Sequence, residues 1–81
     1  MGGYFRNWSD VQIIDFLELK GFKHISMHGD DRMYYNQGLK ALVKVTTPQR
    51  STPIGTMLNI IRNSKIAKKE WLNFRNNHCK Q

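Results

Sequence analysis

The stretch Gly21-Phe22-Lys23-His24-Ile25-Ser26-Met27-His28-Gly29-Asp30-Asp31-Arg32-Met33-Tyr34-Tyr35-Asn36 decides the fold, because the apolar period of the chain changes there. Upstream, Val11, Ile13, Ile14, Phe16, Leu17 and Leu19 recur at helical spacing. Ser9-Asp10-Val11-Gln12 has the form of a capping box, and Asp10 suits the positive end of a helix. Gly21 fits the left-handed residue that closes a helix, and Phe22 fits the apolar contact that accompanies it. The spacing therefore predicts a helix over 10–20. From Phe22 the period falls to two, which sets Ile25 and Met27 on one side of a strand and His24, Ser26 and His28 on the other. Gly29-Asp30-Asp31 is turn chemistry, and Arg32 to Tyr35 reads as a second strand.

Downstream, Asn36-Gln37-Gly38 makes a tight turn. Leu39, Ala41, Val43 and Val45 alternate with Lys40, Leu42, Lys44 and Thr46, which predicts a third strand with two lysines on its outer face. Short turns make the three strands an antiparallel meander. After the polar loop from Thr47 to Thr52, Thr52 reads as an N-cap with Pro53 at the first helical position. Ile54, Met57, Leu58 and Ile61 give a core-facing stripe, and Asn63-Ser64 ends that helix. Lys65 to Phe74 predicts a last short helix packed through Ile66, Trp71 and Phe74, and the tail from Asn76 is expected to fray. The expectation is one α+β domain over 1–81 with its core at about 9–74. Its order is α-β-β-β-α plus a short C-terminal helix, with the helices on one face of a three-stranded antiparallel sheet. Double-stranded-RNA-binding domains share this order.

Eighty-one residues with 40% apolar and 11% aromatic content suffice for one core. The single cysteine, Cys79, excludes an internal disulfide framework and points to a reducing compartment. No apolar run is long enough to span a membrane, so a cytoplasmic protein is expected. The net charge of +7 is uneven. Residues 1–31 hold five acids and three bases, a balance of −2, and residues 32–81 hold ten bases and one acid, a balance of +9. That asymmetry favours a polyanion or an acidic protein as partner.

Chemistry concentrates at the polar corner. His24 and His28, four apart on a strand, lie about 13 Å apart and cannot share an ion. No third ligand stands at a metal-site spacing, and His78-Cys79 is equally sparse. No metal or other cofactor is expected. Asp30-Asp31 offers a general base, a cation ligand pair or plain turn residues. Arg32 suits a phosphate or simply neutralises Asp31. Tyr34 and Tyr35 point to opposite faces, one for the core and one able to stack on a base; Tyr34 stands among the candidate RNA contacts. Lys40, Lys44, Arg50, Lys65, Lys68 and Lys69 suit phosphates and equally suit a solvated face.

From residue 9 to residue 74 the chain resembles the HicA family of small toxins from bacterial toxin–antitoxin pairs. The resemblance rests on Lys20-Gly21-Phe22, the corner Gly29-Asp30-Asp31-Arg32-Met33-Tyr34, the strand end Val43-Lys44-Val45-Thr46-Thr47-Pro48, and Pro53-Ile54-Gly55-Thr56-Met57-Leu58-Asn59-Ile60-Ile61, with Ile66 through Phe74 as the end segment. It implies a double-stranded-RNA-binding-like fold, metal-independent cleavage of mRNA and inhibition by a HicB-type antitoxin protein. The family's catalytic histidine usually stands two residues after the glycine of this corner, where this chain has Asp31. A histidine usual in the loop after the third strand is also replaced, by Pro48-Gln49-Arg50. Imidazole both accepts and donates protons near neutral pH, so the departure bears on activity. Asp31 and His28 become the catalytic candidates, with Arg32 and Lys44 on the phosphate. The alternative is a non-catalytic interaction domain whose basic face docks an acidic partner.

Overall fold

The computed structural model of the protein describes Phe5 and residues 7–78. The order is α1 (Asp10–Leu19), β1 (Lys23–His28), β2 (Asp31–Asn36), β3 (Ala41–Thr46), α2 (Ile54–Ser64) and α3 (Lys68–His78). The strands form one antiparallel sheet in the order β1-β2-β3. The helices cover one of its faces, as expected for a small α+β domain.

The start of α1 follows from its sequence. Ser9 Oγ accepts from the Gln12 backbone N–H at 3.2 Å, and Gln12 Oε1 accepts from the Ser9 N–H at 3.0 Å, so the capping box closes. Trp8 precedes the cap and Ile13 follows in the next turn, both fully buried. These are the positions of a hydrophobic staple. Gly21, at φ +94°, turns the chain out of the helix, as a left-handed residue should. A side chain there would be strained, and its Cβ would stand 3.4 Å from the Asn36 amide. That amide is structural: Asn36 Nδ2 donates to the Lys20 carbonyl at 2.8 Å, and its Oδ1 accepts from the Leu39 N–H at 2.9 Å.

Alternation holds on β3, where Ala41, Val43 and Val45 are buried and Leu42 and Lys44 are exposed. Lys40 takes a left-handed conformation (φ 53°) in the turn before the strand, so only Lys44 of the expected pair lies on it. β1 departs from simple alternation. Lys23 pairs with Tyr35 and His24 with Tyr34, then the register shifts and Ser26 pairs with Met33, Met27 with Arg32 and His28 with Asp31. Ile25 is the extra residue of a β-bulge. Residues opposite one another share a face, so His24 lies on the helix side with Tyr34, and Ser26 and His28 lie on the other. The expectation that His24 shares a face with Ser26 and His28 is corrected by this bulge.

The helical half needs two boundary corrections. Pro53 is itself the N-cap of α2, with no side-chain cap. Thr52 is buried and donates its backbone N–H to the Trp8 carbonyl at 2.7 Å. α3 begins at Lys68 and runs through His78, beyond the expected end at Phe74. Lys65 closes α2 in a left-handed conformation (φ 62°), so it belongs to the link between the helices.

The core joins Phe16 and Leu17 of α1, Tyr34, Val43 and Val45 of the sheet, Met57, Ile60 and Ile61 of α2, and Trp71 and Phe74 of α3. Phe16 meets Trp71 at 4.0 Å between ring centroids and Phe74 at 5.2 Å; Trp8 meets Trp71 edge-on at 5.5 Å. Outside this cluster Lys20 Nζ lies 2.8 Å from Glu70 Oε1, joining α1 to α3. That hydrogen bond and the charge of Lys20 hold the Glu70 carboxyl below its ordinary value of 4.5 against a smaller opposing effect of burial, and the charge of Lys69 adds a lesser downward pull. No helix among the described residues is long and apolar enough to cross a membrane. Cys79 lies outside the described residues.

Candidate nucleic-acid interface

The register builds three rows across the uncovered face of the sheet. His28, Asp31 and Thr46 form the first; Ser26, Met33 and Lys44 the second; Lys23, Tyr35 and Leu42 the third. Each member is wholly or partly exposed. Strand geometry sets directly opposed Cβ atoms about 4.5–5.5 Å apart, so His28 and Asp31 are immediate neighbours on one face.

Asp31 is the best-held polar side chain there. Its Oδ1 accepts from Thr46 Oγ1 at 2.8 Å, and its Oδ2 lies 3.9 Å from Lys44 Nζ. The hydroxyl fixes the carboxylate, and the distant, open ion pair with Lys44 adds at most about 1 kcal/mol. Lys44, exposed and loosely held, remains able to meet a phosphate. The main chain stiffens the corner, since the Thr47 N–H donates to the Asp30 carbonyl at 2.7 Å. A hydrogen-bonded carboxylate and a neighbouring imidazole can divide a proton transfer between them, one group removing a proton while the other supplies one. Among the described residues no group of three His, Cys, Asp or Glu side chains could hold a metal.

Two expected contacts move. Tyr34 is 1% exposed, held between His24 and Val43 on the covered face, so it cannot stack on a base. Tyr35 is the aromatic on the open face. Arg32 pairs with Met27 and with buried Val45, which places it on the helix side, away from Asp31 and Lys44. Its Nε is buried and finds no acceptor among the described residues, so the lysines of the open face are Lys44 and Lys23, without Arg32 beside them.

The remaining cations do not join this face. Lys65 reaches the β2–β3 turn, where its Nζ donates to the Lys40 carbonyl at 3.2 Å. Lys68 lines a shallow groove with Leu58, Ile61 and Arg62. Lys69 lies beside Glu70, and Arg50 is exposed in the β3–α2 loop. The period-two pattern of β3 set Leu42 and Thr46 beside Lys44 on the outer face, as found, without marking the Thr46–Asp31 bond; Lys23 was missed, because its place on the open face depends on the bulge. No protein-family model matches this chain, and no curated protein matches it significantly.

Proposed function

We propose that the protein is an RNA-binding protein of HicA-like type that holds single-stranded RNA across the open face of its sheet. The observation that carries this reading is the alignment on one face that the helices leave open of His28 and Lys44 beside the fixed carboxylate of Asp31, with Lys23 and the partly exposed Tyr35 further along the same face. Lysines track phosphates and an aromatic stacks on a base, the two elements that single-strand binding needs. The excess positive charge of +7 supports it.

Residual ribonuclease chemistry resides at the His28–Asp31 pair. Asp31 takes the proton of a ribose 2′-hydroxyl, the 2′-oxygen bonds to the adjacent phosphorus, and the P–O5′ bond breaks. Protonated His28 supplies the proton to the leaving oxygen, and Lys44 steadies the phosphate. The products are a 2′,3′-cyclic phosphate and a free 5′-hydroxyl. A HicB-type antitoxin is the protein partner this reading brings with it.

The test is cleavage of a labelled single-stranded RNA by the purified protein with EDTA present, beside Asp31→Ala, His28→Ala and Asp31→His. Cleavage by the natural chain that both alanine variants abolish supports the assignment. Cleavage only by Asp31→His means the face positions RNA without its own catalyst. Salt-dependent binding by any of them upholds the RNA platform, and no binding at low salt overturns it.

A further inference from the structure

β1 is left uncovered in a way the RNA reading does not use. It is an edge strand, and five of its six residues are exposed. Two of them are large and apolar: Ile25 is 56% exposed and Met27 is 52% exposed. Met27 faces the helix side by register yet stays open, because the helical layer buries β3 and leaves β1 beyond its reach. An edge strand presents unpaired N–H and C=O groups to another chain, and on this short, mostly polar strand Ile25 and Met27 add apolar surface beside them. Beside the strand lies an open groove of about 330 Å³ lined by Lys23, Ile25, Tyr35, Gln37 and the two turn glycines Gly21 and Gly38. It offers an aliphatic and an aromatic wall with an ammonium at the rim.

We infer that the free edge of β1 is a docking site for an extended segment of an acidic protein, added to the sheet as a fourth strand. Strand addition draws affinity from main-chain hydrogen bonds and specificity from alternate side chains. Both follow here from the register. Residues of the added strand on the open-face side stand beside Lys23, Ser26 and His28, so acids suit those positions. Residues on the helix side stand beside Met27 and His24, over the space the helices leave free, so apolar side chains suit those. The groove at Ile25 and Tyr35 takes one larger apolar side chain near the bulge. The occupant thus alternates acidic and apolar residues.

A second copy of the chain fits less well. Self-pairing brings together two molecules that each carry +7 with no acid on either Lys23–His28 strand to face Lys23, whereas an acidic segment meets the same edge with opposite charge. The main-chain edge of β1 is not used in RNA binding, whereas Lys23, His28 and Tyr35 border both surfaces, so protection of the β1 amides is the readout that marks strand addition.

The probe is a blocked octapeptide alternating glutamate and valine, titrated into the full chain and followed by amide NMR and hydrogen exchange. A peptide of the same pattern with lysine for glutamate is the control. The expected result is saturable shifts and new exchange protection at residues 23–28. Ile25→Glu with Met27→Glu, both at exposed positions, should weaken binding about tenfold or more, and the lysine peptide should not bind. Four results overturn the inference. They are no binding by about 1 mM peptide, equal binding of the lysine peptide, shifts confined to Leu42 and Lys44 without protection of β1, and a concentration-dependent dimer that the double glutamate variant abolishes. The last assigns the edge to a second copy.

Discussion

Removing the ring of Trp71 should unfold much of the protein, whereas replacing it by phenylalanine should do little. Trp71 is fully buried, with Phe16 at 4.0 Å and Trp8 at 5.5 Å between ring centroids. Truncating a buried tryptophan to alanine costs about 3–5 kcal/mol. Each aromatic pair is worth about 0.5–1.5 kcal/mol beyond burial. A chain of this length has a total stability of roughly 4–12 kcal/mol, so Trp71→Ala removes a large part of it. Trp71→Phe keeps a ring against Phe16 but leaves a small void, at about 1–2 kcal/mol. Against that, the indole Nε1 is buried with no acceptor among the described residues. Removing such an orphan donor relieves about 1–3 kcal/mol. The two terms oppose, so the net change should stay within about 1 kcal/mol of zero. The chain has two tryptophans, so urea unfolding of both variants can be followed by the emission of Trp8 alone. A Trp71→Phe penalty above about 2 kcal/mol would show the N–H to be bonded in solution. A Trp71→Ala penalty below about 1 kcal/mol would refute the docking of α3 against α1.

Further outcomes are expected. Lys44→Ala should lower the salt dependence of single-stranded RNA binding by about one phosphate contact, and Tyr35→Ala should cost about 1–3 kcal/mol of binding without loss of fold; fluorescence anisotropy against salt measures both. Gly21→Ala should destabilise by at least about 1 kcal/mol, because φ is +94° and the Asn36 amide is close; thermal melts check it. The Glu70 carboxyl, titrated by NMR, should ionise below 4.5 and return toward that value in Lys20→Met. Because the folded value is depressed, the stability it contributes is fully present above the unfolded value and is lost as pH falls through the folded one. The difference in stability between the natural chain and Glu70→Gln should therefore shrink in acid.

Much of the fold was legible because its signals were local. The Ser9–Gln12 box and Gly21 fixed α1 at both ends, and β3 announced itself through Val43 and Val45. What stayed hidden depended on partners distant in the chain. The bulge at Ile25 leaves no residue-type mark, yet it decides which face His24 and Lys23 occupy. Tyr34 and Tyr35 are equivalent by period, and only the helical layer settles which is buried. Proline after Thr52 suggested a threonine cap, but the N–H bond from Thr52 to Trp8 ties Thr52 to the segment before α1 instead. Trp8 had a local signal, its place ahead of the capping box, which the apolar period starting at Val11 overshadowed. Of the site, the polar corner and Lys44 were readable. The Thr46–Asp31 bond needed the pairing of β2 with β3.

The meeting of Trp8 and Phe16 with Trp71 and Phe74 has a consequence for how the molecule is made. Trp71 follows Trp8 by roughly sixty residues, which a ribosome working at about 5–20 residues per second takes several seconds to add. Through that interval the sheet can be complete while its interior lacks the last two rings. The nascent chain is thus a finished platform over an open interior, and the final helix acts as its keystone. A stop codon inside α3 should remove the protein from the cell rather than shorten it.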